Sequence, residues 1–141
     1  MEKSRKRRVL AQLFVDSSAF YALIDRSDGN YRRAYVLFRA AAKQQRELVT
    51  TNFVVAEAHA LILSRLGRAL ATRWLVTLTA GIIRVTEEDE SRAKAIIVTY
   101  HDKDFSYCDA LSFAVMERLN LLQALAFDVH FRQYARFEIL R

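Results

Sequence analysis

Two acidic residues follow apolar segments of the same kind, Leu-Phe-Val before Asp16 and Leu-Ala-Phe before Asp128. Each carboxylate is therefore expected at the carboxyl end of a buried strand. In open α/β sheets, ligands bind in the crevice outside those ends, where the strand order reverses. With a strand order of 3-2-1-4-5, the first and fourth strands are neighbours and the two carboxylates face each other. The alternative is that each aspartate only caps the helix or turn that follows it.

Glu57 and Asp109 are two further acids whose surroundings suggest chemistry. Glu57 is expected to be buried or half-buried, which is costly unless a cation or an arginine partners it. Its neighbours three and four positions away on the predicted helix are all apolar: Phe53, Val54, Ala60 and Leu61. Asp109 lies in the first turn of a predicted helix, where the helix dipole alone favours an acid. A salt bridge or an exposed position for Glu57, and a purely structural role for Asp109, stay open as alternatives.

Several carboxylates without matching histidine or cysteine ligands suit a hard cation such as Mg²⁺ or Mn²⁺. Such ions accelerate phosphodiester cleavage by activating a water and stabilising the leaving oxygen. The histidines show no zinc-binding spacing and are interpreted as structural or surface residues: His59, His101 and His130. Cys108 has no evident base partner and is interpreted as a core thiol. Motifs for a serine nucleophile, a phosphate-binding loop or a dinucleotide are lacking in the sequence.

The elements that would position these acids alternate between strands and helices. Strands are predicted at about residues 11–15, 48–51, 82–86, 124–127 and 137–140. Helices are predicted at about residues 17–24, 31–44, 52–66, 68–80, 87–100, 106–119 and 130–134. Ser17, Asn30 and Asn52 are expected to cap the first three helices, Gly67 to end the third, and Thr86 with Asp89 to form a capping signal. Five short strands separated by helices predict an α/β fold with a parallel sheet covered by helices on both faces.

The 141 residues carry a net charge of +6 and fit one domain, expected over residues 9–141. Residues 1–8 hold five basic side chains and one acid, and this tail is expected to be disordered, although it could bind phosphates. The single cysteine indicates a reducing compartment. Apolar runs fall short of the roughly 18 residues that a membrane helix needs. A cytoplasmic protein without a membrane segment is therefore expected.

The predicted helices between residues 30 and 80 carry many apolar side chains, including Leu61, Leu63, Leu66, Trp74, Leu75 and Leu78. An exposed apolar patch usually marks an interface, so a symmetric homodimer is expected. The alternative is that these side chains fill the core.

Four segments occur in an order and spacing that resemble PIN-domain ribonucleases, specifically the toxins of VapBC-type toxin–antitoxin pairs. The segments are FVDSSAFYALI, TTNFVVAEAHALI, DFSYCDALSFAVMERL and ALAFDVHFRQY. The resemblance runs from about Leu13 to Leu140, and the basic N-terminus is not part of the family pattern.

The resemblance implies a PIN-like fold and a Mg²⁺- or Mn²⁺-dependent endoribonuclease that cuts structured RNA. The acids of the family map onto Asp16, Glu57, Asp109 and Asp128, with Asp104 at the position of an auxiliary acid. Ser17 and Ser18 fit the small hydroxyl residue that often follows the first aspartate. Relatives commonly form dimers and are inhibited by a small antitoxin. The arginines expected to hold RNA are Arg26, Arg32, Arg33 and Arg132.

The sequence leaves two alternative functions open and argues against two others. A PIN-like nuclease outside a toxin–antitoxin pair would act in RNA processing. A non-catalytic RNA-binding scaffold would most naturally lack one of the four acids, and none is missing. A haloacid-dehalogenase-type phosphatase would carry D-x-D, whereas Asp16 is followed by Ser17 and Ser18. A receiver domain would carry an aspartate after the middle strand, where Thr86 stands.

Overall fold

The computed structural model describes residues 11–141, and the basic tail of residues 1–8 lies outside the described part of the chain. Strands and helices alternate along residues 11–141, as the sequence predicts. The strands are β1 (Gln12–Val15), β2 (Glu47–Thr51), β3 (Gly81–Ile83), β4 (Gln123–Leu125) and β5 (Glu138–Leu140). The helices are α1 (Ser17–Ile24), α2 (Tyr31–Lys43), α3 (Asn52–Leu66), α4 (Arg68–Thr77), α5 (Glu87–Thr99), α6 (Tyr107–Arg118) and α7 (Val129–Tyr134).

The strands form one sheet in the order β3-β2-β1-β4-β5, and each neighbouring pair is parallel. This confirms the predicted order 3-2-1-4-5. The chain builds one half of the sheet outward from β1 through β2 to β3, and then returns to place β4 on the other side of β1. Val15 of β1 pairs with Leu125 of β4, so these two strands end side by side where the strand order reverses.

Strand β1 lies at the centre of the core. Leu13, Phe14 and Val15 are all 0% exposed. Because successive side chains of a strand point to opposite faces, both faces of β1 must be covered. Phe131 of α7 stacks against Phe14, and Phe113 of α6 packs edge-on against Phe131. This aromatic packing lies behind the carboxyl edge of the sheet and fixes α6 and α7 there.

Two predicted helix caps are wrong, and a third is right in position only. Asp16 rather than Ser17 caps α1, and Thr51 rather than Asn52 caps α3. In both cases the residue one position earlier has the extended backbone of a cap and accepts the hydrogen bond from the first turn. Asn30 stands before α2 but makes no side-chain capping bond.

Strand β3 is shorter than predicted. It pairs with β2 only from Val49 to Thr51. Since α3 begins at the next residue, the chain after Ile83 has no ladder partner. The preceding helix α4 ends at Thr77 rather than at residue 80, because Leu78 already has an extended backbone.

The helices described within residues 11–141 are short. The longest, α3, has 15 residues and ends at Gly67, whose φ of +94° favours glycine, as predicted. None of these helices combines the length and the apolar character that crossing a membrane requires.

Candidate active site

Asp16 stands directly after β1 and begins the candidate site. Its backbone N–H donates to Leu125 O of β4 at 3.0 Å, which places the residue at the carboxyl edge of the sheet. The side chain is only 2% exposed, and its Oδ2 accepts a hydrogen bond from Ser18 N at 3.2 Å. The carboxylate therefore caps α1 with one oxygen, and Asp16 has the helix-capping role that was the alternative to a ligand-binding role.

Ser18 connects the ends of β1 and β4. Its hydroxyl donates to Asp16 Oδ2 at 2.6 Å. The Ser18 Oγ in turn accepts hydrogen bonds from Phe127 N at 3.0 Å and from Asp128 N at 3.3 Å. The two strand-end aspartates are thus brought to one edge of the sheet and share one hydroxyl between them.

Asp109 reaches the same edge from helix α6. It forms a capping box with Ser106, in which the Ser106 backbone N–H donates to Asp109 Oδ2 at 3.1 Å. The same Oδ2 lies 2.7 Å from His130 Nδ1. The helix dipole favours an acid at this position even when the acid is fully exposed. Asp109, however, is only 5% exposed and therefore buried at the site.

His130 joins the acids, contrary to the expectation of a structural or surface residue. Its Nδ1 lies 3.3 Å from Asp128 Oδ1, besides the contact with Asp109. The ligand atoms of Asp109, Asp128 and His130 lie within 4.8 Å of one another and could hold a metal ion. The sequence signal that could have found it is the spacing Asp-x-His after a buried strand, since α7 begins at Val129 and its first turn places the imidazole near Asp128.

Each aspartate of the site uses one oxygen for structure and leaves the other available. The hydrogen bonds that the described residues donate go to Oδ2 of Asp16, Oδ2 of Asp109 and Oδ1 of Asp128. The second oxygen of each carboxylate receives none from residues 11–141. Three acceptor oxygens without donors at one edge of a sheet are suited to a cation.

Glu57 is exposed on α3, so the expectation that it is buried or half-buried is wrong. The buried stripe of α3 consists of Val54, Ala58 and Ile62. Glu57 precedes Ala58 by one residue, which is a rotation of about 100° around the helix, and its side chain therefore leaves the core face. It is nevertheless close enough to Asp16 to raise the pKa of that buried carboxyl group.

Cys108 is half-buried next to Glu57. Burial raises the pKa of the thiol far above its usual range, and the Glu57 carboxylate adds to the rise. A thiol held in the protonated state is a poor nucleophile, which agrees with the sequence interpretation.

Asp104, expected as an auxiliary acid, lies exposed in the loop before α6. It makes no hydrogen bond or ion pair to other described residues and does not join the group formed by Asp109, Asp128 and His130. The four residues between Asp104 and Asp109 lead into the first turn of α6, and Asp104 stays outside the group of ligand atoms.

The electrostatics of Asp16 are unusual when compared with Asp89, which is equally buried at 2% exposure. Burial alone would raise the pKa of Asp89, yet the Arg118 guanidinium and the Thr86 capping bonds hold it below its usual value. Asp16 has no cationic partner among residues 11–141. Its pKa is raised to about 7, mainly by burial and additionally by the nearby Asp109 and Glu57 carboxylates, although the Ser18 hydrogen bonds act in the opposite direction. Burial and Asp128 likewise raise the pKa of Asp109.

The four arginines expected to hold RNA are all exposed: Arg26, Arg32, Arg33 and Arg132. Arg132 lies on α7, two residues after His130. The Arg33 Nε donates to the carbonyl of Arg141 at 2.8 Å, beyond the carboxyl end of β5. None of the four forms an ion pair with a carboxylate of the described residues.

Comparison with known proteins gives one consistent family. The PIN domain matches residues 13–137. The 23S rRNA-specific endonuclease VapC20 of Mycobacterium tuberculosis is 30% identical over 122 residues, which cover 84% of this chain and 91% of VapC20.

Solved structures agree with this comparison. The crystal structure of Mycobacterium tuberculosis VapC20, described as a Sarcin-Ricin loop cleaving toxin, superimposes with a TM-score of 0.82 at 29% identity, over 92% of this chain and 99% of that one. VapBC2 from Rickettsia felis, bound to a DNA fragment from its promoter, shares the fold with a TM-score of 0.70 at 11% identity, over 91% and 96% of the two chains. The chain is therefore a member of the PIN-domain family, of the VapC type.

Proposed function

We propose that this protein is a divalent-metal-dependent endoribonuclease in which Asp16, Glu57, Asp109 and Asp128 hold Mg²⁺ or Mn²⁺. The observation that carries the proposal is that Asp16 is buried beside further carboxylates and has no cationic partner among residues 11–141. A buried carboxylate of this kind is costly unless a positive charge offsets it. Asp89, which has its arginine, shows how the fold treats a buried acid whose role is structural.

The residues present fit a hard cation. Each of Asp16, Asp109 and Asp128 directs one oxygen to its helix cap and has a second oxygen without a donor from the described residues. Glu57 adds a carboxylate from the exposed side. When bound, Mg²⁺ or Mn²⁺ supplies a Lewis acid that lowers the pKa of water and stabilises the leaving oxygen of a phosphodiester.

The other roles of the chain concern the RNA. The exposed arginines Arg26, Arg32, Arg33 and Arg132 neutralise phosphates, and Arg132 is the nearest to the site along the chain. We propose structured ribosomal RNA as the substrate. The support is the 30% identity to the 23S rRNA-specific endonuclease VapC20 over most of both chains.

The VapC type supports a toxin that is held inactive by a small antitoxin, in a cytoplasmic toxin–antitoxin pair. A homodimer is proposed with it, because exposed apolar side chains remain on α3 and α4. An RNA-processing nuclease without an antitoxin would share the active site. Co-expression with the protein encoded next to this one distinguishes the two, because that protein should inhibit this one only if the two form a toxin–antitoxin pair.

The experiment is cleavage of total cellular RNA by the purified protein, freed of any bound antitoxin, with Mg²⁺, Mn²⁺ or EDTA. We expect EDTA to abolish cleavage and Mn²⁺ to restore it. Neutral variants of the four acids should lose more than the ~10–100-fold that loss of an outer-sphere partner typically costs. The variants are Asp16→Asn, Glu57→Gln, Asp109→Asn and Asp128→Asn.

Matched controls are Glu88→Gln and Asp102→Asn, because both carboxylates are exposed outside the site. Both controls should cleave as the wild type does. The four site variants should still bind RNA, since their arginines are unchanged. If they cleave at the wild-type rate, the acidic mechanism is wrong, and if the wild type binds metal without cutting any RNA, the scaffold alternative is favoured.

A further inference from the structure

We infer that His130 is itself a ligand of the metal ion, through Nδ1, and that this nitrogen makes the site prefer transition-metal ions to Mg²⁺. The inference rests on the proposed function, because it concerns the same site. It assigns an additional ligand that the four acids do not supply, and a metal selectivity that follows from it.

The distances around Nδ1 are those of neighbouring ligands. His130 Nδ1 lies 2.7 Å from Asp109 Oδ2 and 3.3 Å from Asp128 Oδ1. Two ligands about 2.1 Å from one ion and at right angles to each other are about 3 Å apart. The three atoms belong to α6 and to the start of α7, so the fold brings them together from separate parts of the chain.

A hydrogen bond alone explains this arrangement less well. An imidazole nitrogen carries at most one proton, so Nδ1 can donate well to only one of the two carboxylates. Two acceptors approach it nonetheless, and Asp128 Oδ1 already accepts a hydrogen bond from His130 N at 2.8 Å. A cation held by Nδ1 and the two carboxylates satisfies all three groups, because each carboxylate keeps a second oxygen that accepts no hydrogen bond from residues 11–141.

The imidazole is also held in place before any ion binds. The hydrogen bond from His130 N to Asp128 fixes its backbone at the start of α7. Phe105 meets the ring edge-on with centroids 5.6 Å apart, and the following residue, Phe131, is 0% exposed in the core. A pre-organised nitrogen loses little conformational freedom when it ligates.

A nitrogen ligand changes which ions the site prefers. Carboxylate and water oxygens suit Mg²⁺, whereas imidazole favours first-row transition metals, with affinity rising from Mn²⁺ to Co²⁺. The site should therefore bind Co²⁺ and Mn²⁺ more tightly than Mg²⁺, and the difference should depend on His130.

The test measures metal binding by the purified, metal-free protein rather than its activity. Mg²⁺, Mn²⁺ and Co²⁺ are titrated calorimetrically at pH 8 into the wild type and into His130→Asn. The asparagine amide can place an N–H near the position of Nδ1, so the variant keeps a hydrogen bond to Asp109 and loses only the ligating nitrogen. The control is His101→Asn, which changes an exposed histidine in the loop before α6.

We expect His130→Asn to lose about tenfold or more in Co²⁺ and Mn²⁺ affinity, with Mg²⁺ affinity within about threefold of the wild type. His101→Asn should leave all three affinities unchanged. Pulsed electron paramagnetic resonance of bound Mn²⁺ should detect a coupled ¹⁴N nucleus in the wild type and in His101→Asn, but not in His130→Asn. The wild-type spectrum tests the ligand directly, even if the variant is unstable.

Equal loss of affinity for all three ions would show that His130 only orients Asp109, and the inference would be overturned. Absence of the ¹⁴N coupling in the wild type would overturn it as well. The proposed function is tested separately, by RNA cleavage in the wild type and in Asp16→Asn. A protein that cleaves RNA with metal yet lacks the nitrogen coupling contradicts the inference alone.

Discussion

Asp16 and Asp89 show how the surroundings of one residue decide between a structural and a chemical role. Both are 2% exposed, and both accept the hydrogen bonds of a helix cap. Arg118 contacts Asp89 with two hydrogen bonds of 2.8 and 2.9 Å, whereas Asp16 faces other carboxylates. Ionising Asp89 therefore stabilises the fold, and ionising Asp16 without a metal destabilises it.

This difference predicts that asparagine substitutions at Asp16 and at Asp89 have opposite effects on stability at pH 8 without metal. Because the pKa of Asp16 rises from 3.8 to about 7, the folded protein keeps a proton between these values that the unfolded chain releases. Stability is then lost as the pH rises through this window. Asp16→Asn removes the ionisation and keeps a good helix cap, so its melting temperature in EDTA at pH 8 should exceed that of the wild type.

The matched control is Asp89→Asn, which removes a carboxylate whose pKa is lowered and whose stabilisation is present at pH 8. Its melting temperature should fall. Mn²⁺ should raise the melting temperature of the wild type much more than that of Asp16→Asn. A metal-free Asp16→Asn protein that melts below the wild type at pH 8 would contradict the electrostatic argument.

The individual site residues differ in how far the sequence could predict them. Asp16 and Asp128 were placed at one edge by the pattern of an acid after a buried strand. The exposure of Glu57 was not predictable, because its apolar neighbours do not show which side of the helix faces the core. Adjacent helix positions point about 100° apart, so a residue next to a buried one can be exposed. The contact of His130 was missed because the Asp-x-His spacing points to a site only when the ends of β1 and β4 are known to meet.

At the level of elements, Ser18 holds β1 and β4 together at the site. Its hydroxyl joins Asp16 Oδ2 to the backbone of Phe127 and Asp128. The parallel ladder between these strands covers only Phe14–Ala124 and Val15–Leu125, so it ends just before the acids. Beyond that point, the hydroxyl takes over the connection that the ladder no longer makes.

We therefore expect Ser18→Ala to lower the free energy of unfolding by about 1–3 kcal/mol, the usual cost of leaving a buried polar group without its partner. Because Asp128 loses a backbone contact, RNA cleavage should fall as well. Chemical denaturation and the cleavage assay measure both effects. Ser17→Ala is the matched control, since the Ser17 hydroxyl makes no hydrogen bond with the described residues. Equal stability of both variants would show that the connection through Ser18 is unimportant.

The arrangement of the elements was largely predictable, and their boundaries were less so. Alternating strands and helices, with right-handed crossovers, leave few topologies, and the order 3-2-1-4-5 is confirmed. The end of β3 was missed because it depends on where its partner β2 stops, at Thr51. The local sequence of residues 84–86 does not show where β2 ends, and the end of β2 is what ends the pairing of β3.

Considered as a whole molecule, the protein divides its apolar side chains between core and surface. Trp74 is buried against Phe20, so part of the apolar content of the helices between residues 30 and 80 fills the core. Four large apolar side chains on α3 and α4 remain exposed: Leu63 at 44%, Leu70 at 43%, Leu75 at 41% and Val76 at 74%. Core packing therefore accounts for Trp74, whereas the four exposed side chains are those that the proposed interface would use.

The proposed homodimer predicts that this surface is covered in solution. Light scattering at tens of micromolar should give twice the chain mass of 16.3 kDa. Val76→Glu should weaken the dimer about tenfold or more, because burying an unpaired carboxylate opposes association. Val98→Glu is the matched control, since Val98 is 76% exposed on α5, away from α3 and α4. A wild type that stays at 16.3 kDa refutes the dimer, and a dimer weakened only by Val98→Glu places its interface on α5 instead.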